Sequence, residues 1–174
     1  EPFHRGEENA GHDNSGAGAE QPHIIIRRML RLVLDTNVVL DLFHWANSDA
    51  LPIMAALVGG QVECLADAGT LDELRRVLTY PQLKLTPEMA VDRYSRYTGL
   101  VQVVPKGEPP PLPRCKDRDD QKFLELAARC GAHLLVTKDK ALLRLRGRTT
   151  LGFRILKPAA ASALLPPTPF PETP

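Results

Sequence analysis

Short apolar runs alternate along the chain with segments in which apolar residues recur every three or four positions. Continuous apolar runs of this length are typical of strands buried in a parallel sheet. They lie at residues 30–34, 62–65, 100–104, 134–136 and 153–156. Helical spacing, or helix start and stop signals, predict helices between them. These lie at residues 49–57, 70–78, 86–97, 120–129 and 141–145. The alternation predicts an α/β fold, a three-layer sandwich with a central, mostly parallel sheet flanked by helices.

The two ends of the chain differ from its middle. The first stretch is rich in Gly, Glu, Asn and His and poor in apolar residues, so burial cannot offset the entropy of ordering it. We therefore expect residues 1–26 to be a disordered extension, and Met29, directly before the first strand, to be the authentic start. Pro and Ala recur in residues 159–174, which predicts a flexible tail. The folded domain is expected to span residues 27–158.

Composition excludes several classes of protein. With 174 residues, 43% of them hydrophobic and 25% charged, the chain has the make-up of one soluble globular domain. A net charge of +1 excludes a strongly basic architectural nucleic-acid binder, although local basic patches remain compatible with it. The three cysteines, Cys64, Cys115 and Cys130, lack Cys-x-x-Cys spacing and predict reduced thiols in a cytoplasmic protein. No apolar run reaches the roughly 20 residues of a membrane helix.

Acidic residues follow two of the predicted strands. Asp35 comes directly after the first strand, and Asp139 follows the fourth. In a doubly wound sheet, ligands bind outside the carboxyl ends of the strands, so both positions are candidates for a site. Each aspartate taken alone could equally be a helix cap or a turn residue.

A third acid lies on an amphipathic helix. Asp120 shares one stripe with Phe123, Leu124 and Ala127, so it points toward the core, where an unpaired charge is costly and a cation is a common solution. Alternatively, it caps the helix together with Asp117 and Asp119. The run of acids also permits any of the three to be the direct ligand, and the stripe favours Asp120.

The segments that carry these acids resemble those of PIN domains. Residues 32–39, Leu-Val-Leu-Asp-Thr-Asn-Val-Val, are similar to the opening strand motif of that family. Residues 117–127 and 135–140 resemble its closing block, and residues 73–78 resemble its glutamate helix. The motifs occur in the family's order from about residue 29 to residue 157, and they are most similar to the toxin components of bacterial toxin–antitoxin pairs.

This resemblance implies a metal-dependent endoribonuclease with Mg²⁺ or Mn²⁺ as cofactor. It implies catalytic, metal-binding acids at Asp35, Glu73, Asp120 and Asp139, and supporting roles for Asn37, Asp117 and Thr137. Four carboxylates suit one or two hard divalent ions, which orient and deprotonate a water for in-line attack that leaves a 5′-phosphate and a 3′-hydroxyl. The basic residues expected to grip RNA are Lys116, Arg118, Lys138 and Lys140, with Arg144, Arg146 and Arg148 as further candidates.

Other functions remain open at this point. The alternative is a non-catalytic PIN-like protein that binds RNA or an antitoxin. A phosphatase with an aspartyl nucleophile is disfavoured, because Asn37 stands where such enzymes want a second acid. The resemblance also implies a cognate antitoxin, a homodimer and a location in the bacterial cytoplasm. Leu40, Phe43 and Trp45 could serve such contacts or belong to the core.

Overall fold

The protein contains a five-stranded sheet in which every neighbouring pair of strands is parallel. The computed structural model describes residues 29–167, so the predicted extension at residues 1–26 lies outside the described part. The strands are β1 (Leu30–Leu34), β2 (Val62–Ala66), β3 (Val101–Val103), β4 (Leu134–Val136) and β5 (Arg154–Leu156), in the order β3-β2-β1-β4-β5. The predicted α/β sandwich is confirmed, with an entirely parallel sheet.

Helices cover both faces of the sheet. In the described residues they are α1 (Thr36–Leu40), α2 (Leu51–Val58), α3 (Ala68–Val77), α4 (Pro87–Thr98), α5 (Gln121–Arg129), α6 (Lys140–Leu143) and α7 (Pro158–Ser162). Because side chains alternate along a strand, Leu32 and Leu34 pack with α1 to α4 and α7, whereas Val33 packs with α5 and α6. These two apolar clusters form the outer interfaces of the three layers.

The chain after β1 contains helical structure that the sequence reading did not predict. Helix α1 starts directly after Asp35 and continues into a π-helical turn, Asp41–Trp45, which ends at Ala46 with φ of 50°. Val38, Val39 and Leu42 of this stretch recur at helical spacing and are buried. This segment places Asp41, with only 2% of its surface exposed, in the interior.

The start of the predicted flexible tail is ordered. Residues 158–162 form helix α7, which contacts α2, and Ala161 is completely buried. Pro158 occupies the first turn of the helix, where the missing N–H has no cost, and alanine is the strongest helix former. The sequence did not predict this helix, because Pro and Ala in a terminal run are also typical of a flexible tail.

Two further observations concern the whole described range. Between residues 29 and 167, no helix combines the length and the apolar character required to cross a membrane. Cys64, Cys115 and Cys130 are all free thiols, as predicted. Burial raises the pKa of Cys64, which lies beside the Tyr97 hydroxyl, to about 12.

The strand order brings the two aspartate-bearing strand ends together. Leu34 pairs with Val136, and the backbone N–H of Asp35 donates to the Val136 carbonyl at 3.0 Å. The order of connections reverses between β1 and β4, which is where doubly wound sheets open a crevice for ligands. Asp35 and the loop after β4 lie at this point.

Candidate active site

Asp35 is a buried carboxylate held by neutral hydrogen-bond donors. The Thr137 hydroxyl and the Asn37 side-chain amide each donate to its Oδ2 at 2.5 Å, and only 3% of the residue is exposed. Burial raises the pKa of Asp35, the hydrogen bonds from Thr137 and Asn37 oppose that rise, and the nearby charge of Glu73 adds to it. Asn37, predicted to lie beside this acid, contacts it directly, and so does Thr137, which was predicted to support the last acid, Asp139.

Glu73 reaches the same region from α3 but already has partners for both of its oxygens. Thr36, the residue after Asp35, donates its hydroxyl to Glu73 Oε1 at 2.8 Å, and the Lys122 ammonium forms an ion pair with Oε2. Sequence reasoning did not single out Lys122, because a polar residue between Asp120 and Phe123 carries no distinguishing signal. The lysine neutralises one of the four predicted acids within the protein itself.

Asp120 lies at the start of α5 among other acids. Its side chain makes no capping hydrogen bond to the helix. Burial and then the charges of Asp35, Asp139 and Asp117 raise the pKa of Asp120 to about 7. Asp117 and Asp119 are exposed, and Asp117 accepts a hydrogen bond from the Asp119 backbone. Of the three candidate ligands, Asp120 is thus the one turned toward Asp35, which favours the assignment made from the helical stripe.

Asp139 completes the cluster from the loop after β4. Its backbone N–H donates to the Thr137 hydroxyl at 2.9 Å, so Thr137 connects Asp139 to Asp35. One carboxylate oxygen of Asp139 accepts the N–H groups of Ala141 and Leu142 as the cap of α6. The helix-cap and site interpretations of Asp139 are therefore compatible, because its second oxygen accepts no hydrogen bond from this cap.

The carboxylate oxygens of this cluster are the type of ligand that a hard divalent cation prefers. In residues 29–167, no three acidic, His or Cys side chains are arranged to enclose an ion together. Magnesium, however, keeps several waters and needs only one or two protein carboxylates. The charge of Asp35 contributes, after burial, to the raised pKa of Asp120, and neither acid has a basic partner in residues 29–167. These two acids could therefore supply that minimum set, and a cation held by both would offset their negative charge.

The basic residues predicted to bind substrate separate into two groups. Lys116 and Arg118 are exposed and line one cavity, and Lys140 is also exposed. By contrast, the Lys138 ammonium lies 2.7 Å from the buried carboxylate of Asp41. Its backbone N–H donates to the side-chain oxygen of Asn37 at 3.2 Å.

Asp41 is a second residue that sequence reasoning missed. Its signal was an acid inside the apolar run Leu40, Leu42 and Phe43, a position where an unpaired carboxylate would not be tolerated. Through Lys138 it anchors the loop that carries Thr137 and Asp139. The Lys138 ammonium, which was expected to contact RNA, therefore forms an ion pair that stabilises this loop.

A histidine and three apolar residues outside the cluster lie in the core, between strands or at the surface. His133 accepts a hydrogen bond from the Arg31 backbone at 2.9 Å and joins β4 to β1, which is a structural role. Phe43 is buried against the Tyr97 ring, Leu40 is half-buried, and Trp45 is 56% exposed. Only the last of these three apolar residues is therefore fully available at the surface.

Comparison with known proteins identifies the family. The family model described as "PIN domain" matches residues 31–141, which is more than half of the chain and includes β1, α3, α5 and β4. No curated protein matches the chain significantly. The matched segment contains all four predicted acids, and the match indicates a nuclease-type fold. The chain therefore belongs to the PIN domain family.

Proposed function

We propose that the protein is an endoribonuclease that depends on Mg²⁺ or Mn²⁺ and hydrolyses RNA phosphodiester bonds. The observation that carries this proposal is that Asp35, Asp120 and Asp139 are brought to the carboxyl edge of the sheet without a basic partner in the described residues, where burial and the charges of neighbouring acids raise the pKa of Asp120. Unbalanced negative charge is costly to maintain in a fold, and a divalent cation compensates it. The nuclease-type fold agrees with this chemistry.

Each acid has a distinct part in this proposal. Asp35 and Asp120 would hold the cation, which supplies activation of water and relief of charge on the scissile phosphate. Thr137 and Asn37 fix the orientation of Asp35 through their hydrogen bonds. Asp139, which uses one oxygen to cap α6, accepts a hydrogen bond from Asp120 when that acid is protonated, so it can accept a proton or a water hydrogen beside the cation.

Glu73 has a different part because of its partners. Its ion pair with Lys122 places one positive charge next to the cluster, which limits the number of divalent ions that the acids need. The Thr36 hydroxyl donates to the other oxygen and holds the Glu73 carboxylate in place. From this position the negative charge of Glu73 contributes to the raised pKa of Asp35. We assign Glu73 to the site on these contacts and on the family resemblance.

The decisive test is cleavage by the Asp35→Asn variant. This substitution keeps the size of the side chain and one acceptor oxygen for Thr137 and Asn37, so the fold should persist. Metal-dependent cleavage of a labelled RNA should fall by at least about a hundredfold, in the range expected when a group that stabilises the transition state is lost. Asp92→Asn, on the exposed face of α4, is the control and should cleave normally. Wild-type activity in Asp35→Asn would refute the assignment, and binding without cleavage by the wild type would favour a non-catalytic role.

We further propose that this nuclease is the toxin of a toxin–antitoxin pair, because the set of motifs between about residue 29 and residue 157 resembles that branch of the family. Inducible expression in a bacterial host should then arrest growth for the wild type and not for Asp35→Asn. Mapping of RNA 5′ ends from the same cultures would identify the cleaved sites. Normal growth with intact RNA in both cultures would contradict the toxin role.

A further inference from the structure

The Lys122 ammonium lies between two helices, α5 and α3, at the border of the acidic cluster. Lys122 follows Asp120 by two residues, and side chains at that spacing on a helix do not share a face. Asp120 lies near Asp35, whereas Lys122 reaches across to α3 and pairs with Glu73 Oε2. Only 28% of the lysine side chain and 12% of the glutamate side chain are exposed, so water and salt screen this pair weakly. Lys122 is therefore a partly buried charge within the site itself.

Both oxygens of Glu73 are already engaged by groups of the chain. Oε1 accepts the Thr36 hydroxyl at 2.8 Å, and Oε2 accepts the Lys122 ammonium. A divalent ion that took Oε2 as a ligand would lie close to this ammonium, and two cations at that spacing repel each other. Direct ligation by Glu73 would therefore require Lys122 to leave its partner first.

The ammonium also changes the charge that divalent ions have to balance. When ionised, Asp35, Glu73, Asp120 and Asp139 carry four negative charges, and Lys122 neutralises one of them. One divalent ion then leaves a single negative charge, whereas two ions would leave a positive one. Without the lysine, two ions would bring the four acids to neutrality. Lys122 thus removes the electrostatic reason for a second ion.

We propose that Lys122 is a positioning residue that takes the place of a second divalent ion. It holds Glu73 beside Thr36 as an outer group of the site, so that the centre binds one cation, through Asp35 and Asp120. This role rests on the proposed metal-dependent function and specifies the number of ions that the function uses. It differs from the ligand role that the family resemblance implies for Glu73.

The number of bound Mn²⁺ ions tests this role without any measurement of cleavage. Electron paramagnetic resonance of free Mn²⁺ gives both the number of ions that the whole chain binds and their Kd. The test variants are Lys122→Met, Lys122→Arg and the neutral pair Lys122→Met/Glu73→Gln, which leaves the net charge of the site unchanged. The control is Lys106→Met, because this exposed lysine lines the same cavity as Lys122 and belongs to no ion pair of residues 29–167.

We expect one bound Mn²⁺ in the wild type, in Lys122→Arg and in the Lys106→Met control. Lys122→Met should bind a second ion, because Glu73 then has an oxygen without a partner and a charge that nothing balances. The neutral pair should bind one ion again. Its Kd should weaken by less than about tenfold, the smallest loss that is typical when a group supporting a metal site is removed.

Several results would overturn this role for Lys122. They are two ions in the wild type, one ion in a folded Lys122→Met variant, or a neutral pair whose Kd weakens by about tenfold or more, as for a lost ligand. If Lys122→Met does not fold, the neutral pair still decides, because its Kd alone separates a ligand from an outer group. A wild type that binds no Mn²⁺ would refute the metal-dependent function together with this role, whereas a contrary result in the variants alone would leave that function standing.

Discussion

Replacement of Asp120 by Asn should stabilise the metal-free protein and, at the same time, abolish its activity. The acid has no capping hydrogen bond to lose, and the Asn amide can still donate to Asp139 as the protonated acid does. What the substitution removes is the charge that the neighbouring acids repel. A structural residue would show the opposite result, since its replacement would lower stability.

The size and the pH dependence of this effect follow from the pKa of Asp120. The pKa rises from the ordinary value of 3.8 to about 7 in the folded protein, so the folded state holds the proton more tightly than the unfolded chain. This stabilisation is complete below pH 3.8 and is lost as the pH rises to 7. One pKa unit is equivalent to about 1.4 kcal/mol, which sets an upper limit of about 4 kcal/mol. Solvent reaches much of this half-buried side chain, and its screening reduces the expected effect to about 1–2 kcal/mol.

Thermal unfolding in the presence of a chelator is the appropriate assay. At pH 8 the Asp120→Asn variant should melt about 2–8 °C above the wild type, because 1 kcal/mol corresponds to about 2–4 °C in a domain of this size. The difference should shrink steadily between pH 7 and pH 4. Asp119→Asn, which replaces the exposed neighbour, should show no such trend. A variant that is less stable than the wild type at pH 8, or a difference independent of pH, would refute the reasoning.

Three further substitutions test the packing around the site. Asp41→Asn should lower the free energy of unfolding by about 1.5–3 kcal/mol and reduce kcat, because the Lys138 ammonium loses its charged partner. An unchanged free energy of unfolding and an unchanged kcat would contradict the anchoring of the loop. Asp67→Asn keeps the cap of α3 but breaks the ion pair with Arg129, in which both side chains are 15% exposed or less. Urea denaturation should therefore show that the free energy of unfolding falls by about 3 kcal/mol. A fall of less than about 1 kcal/mol would show that water solvates the pair. Ala161→Leu should lower the free energy of unfolding by about 1–3 kcal/mol, because the larger side chain overpacks the contact between α7 and α2. An unchanged melting temperature would mean that α7 does not pack against α2.

The sequence was sufficient to predict the elements whose apolar pattern is long and regular. Strand β1 was predicted with its observed bounds, and α5 to within one residue, because a buried run and a strong amphipathic stripe each admit one interpretation. The same stripe indicated that Asp120 faces inward. The carboxyl-edge positions of Asp35 and Asp139 followed from general rules for parallel sheets, before any contact was known.

What the sequence could not predict depends on contacts between distant residues. The ion pairs of Glu73 with Lys122 and of Asp41 with Lys138 join residues 49 and 97 positions apart, and local periodicity carries no information about them. The segment after Asp35 was missed for a related reason: its five-residue helix, α1, is too short to be stable except through its packing on the sheet.

The distribution of charge at the sheet edge separates structural acids from those that fit a catalytic role. Three buried or half-buried acids have a lysine or arginine partner, in the pairs Asp41–Lys138, Asp67–Arg129 and Glu73–Lys122. Asp35, Asp120 and Asp139 have no basic partner in residues 29–167, and burial together with the neighbouring negative charges raises the pKa of Asp120 to about 7. A fold that only needed polar groups there could have used Asn or Ser without this cost. These three acids lower the stability of the fold, whereas the acids of the neighbouring ion pairs do not carry an uncompensated charge. Such a local loss of stability is expected at a site that binds a cation from outside the chain.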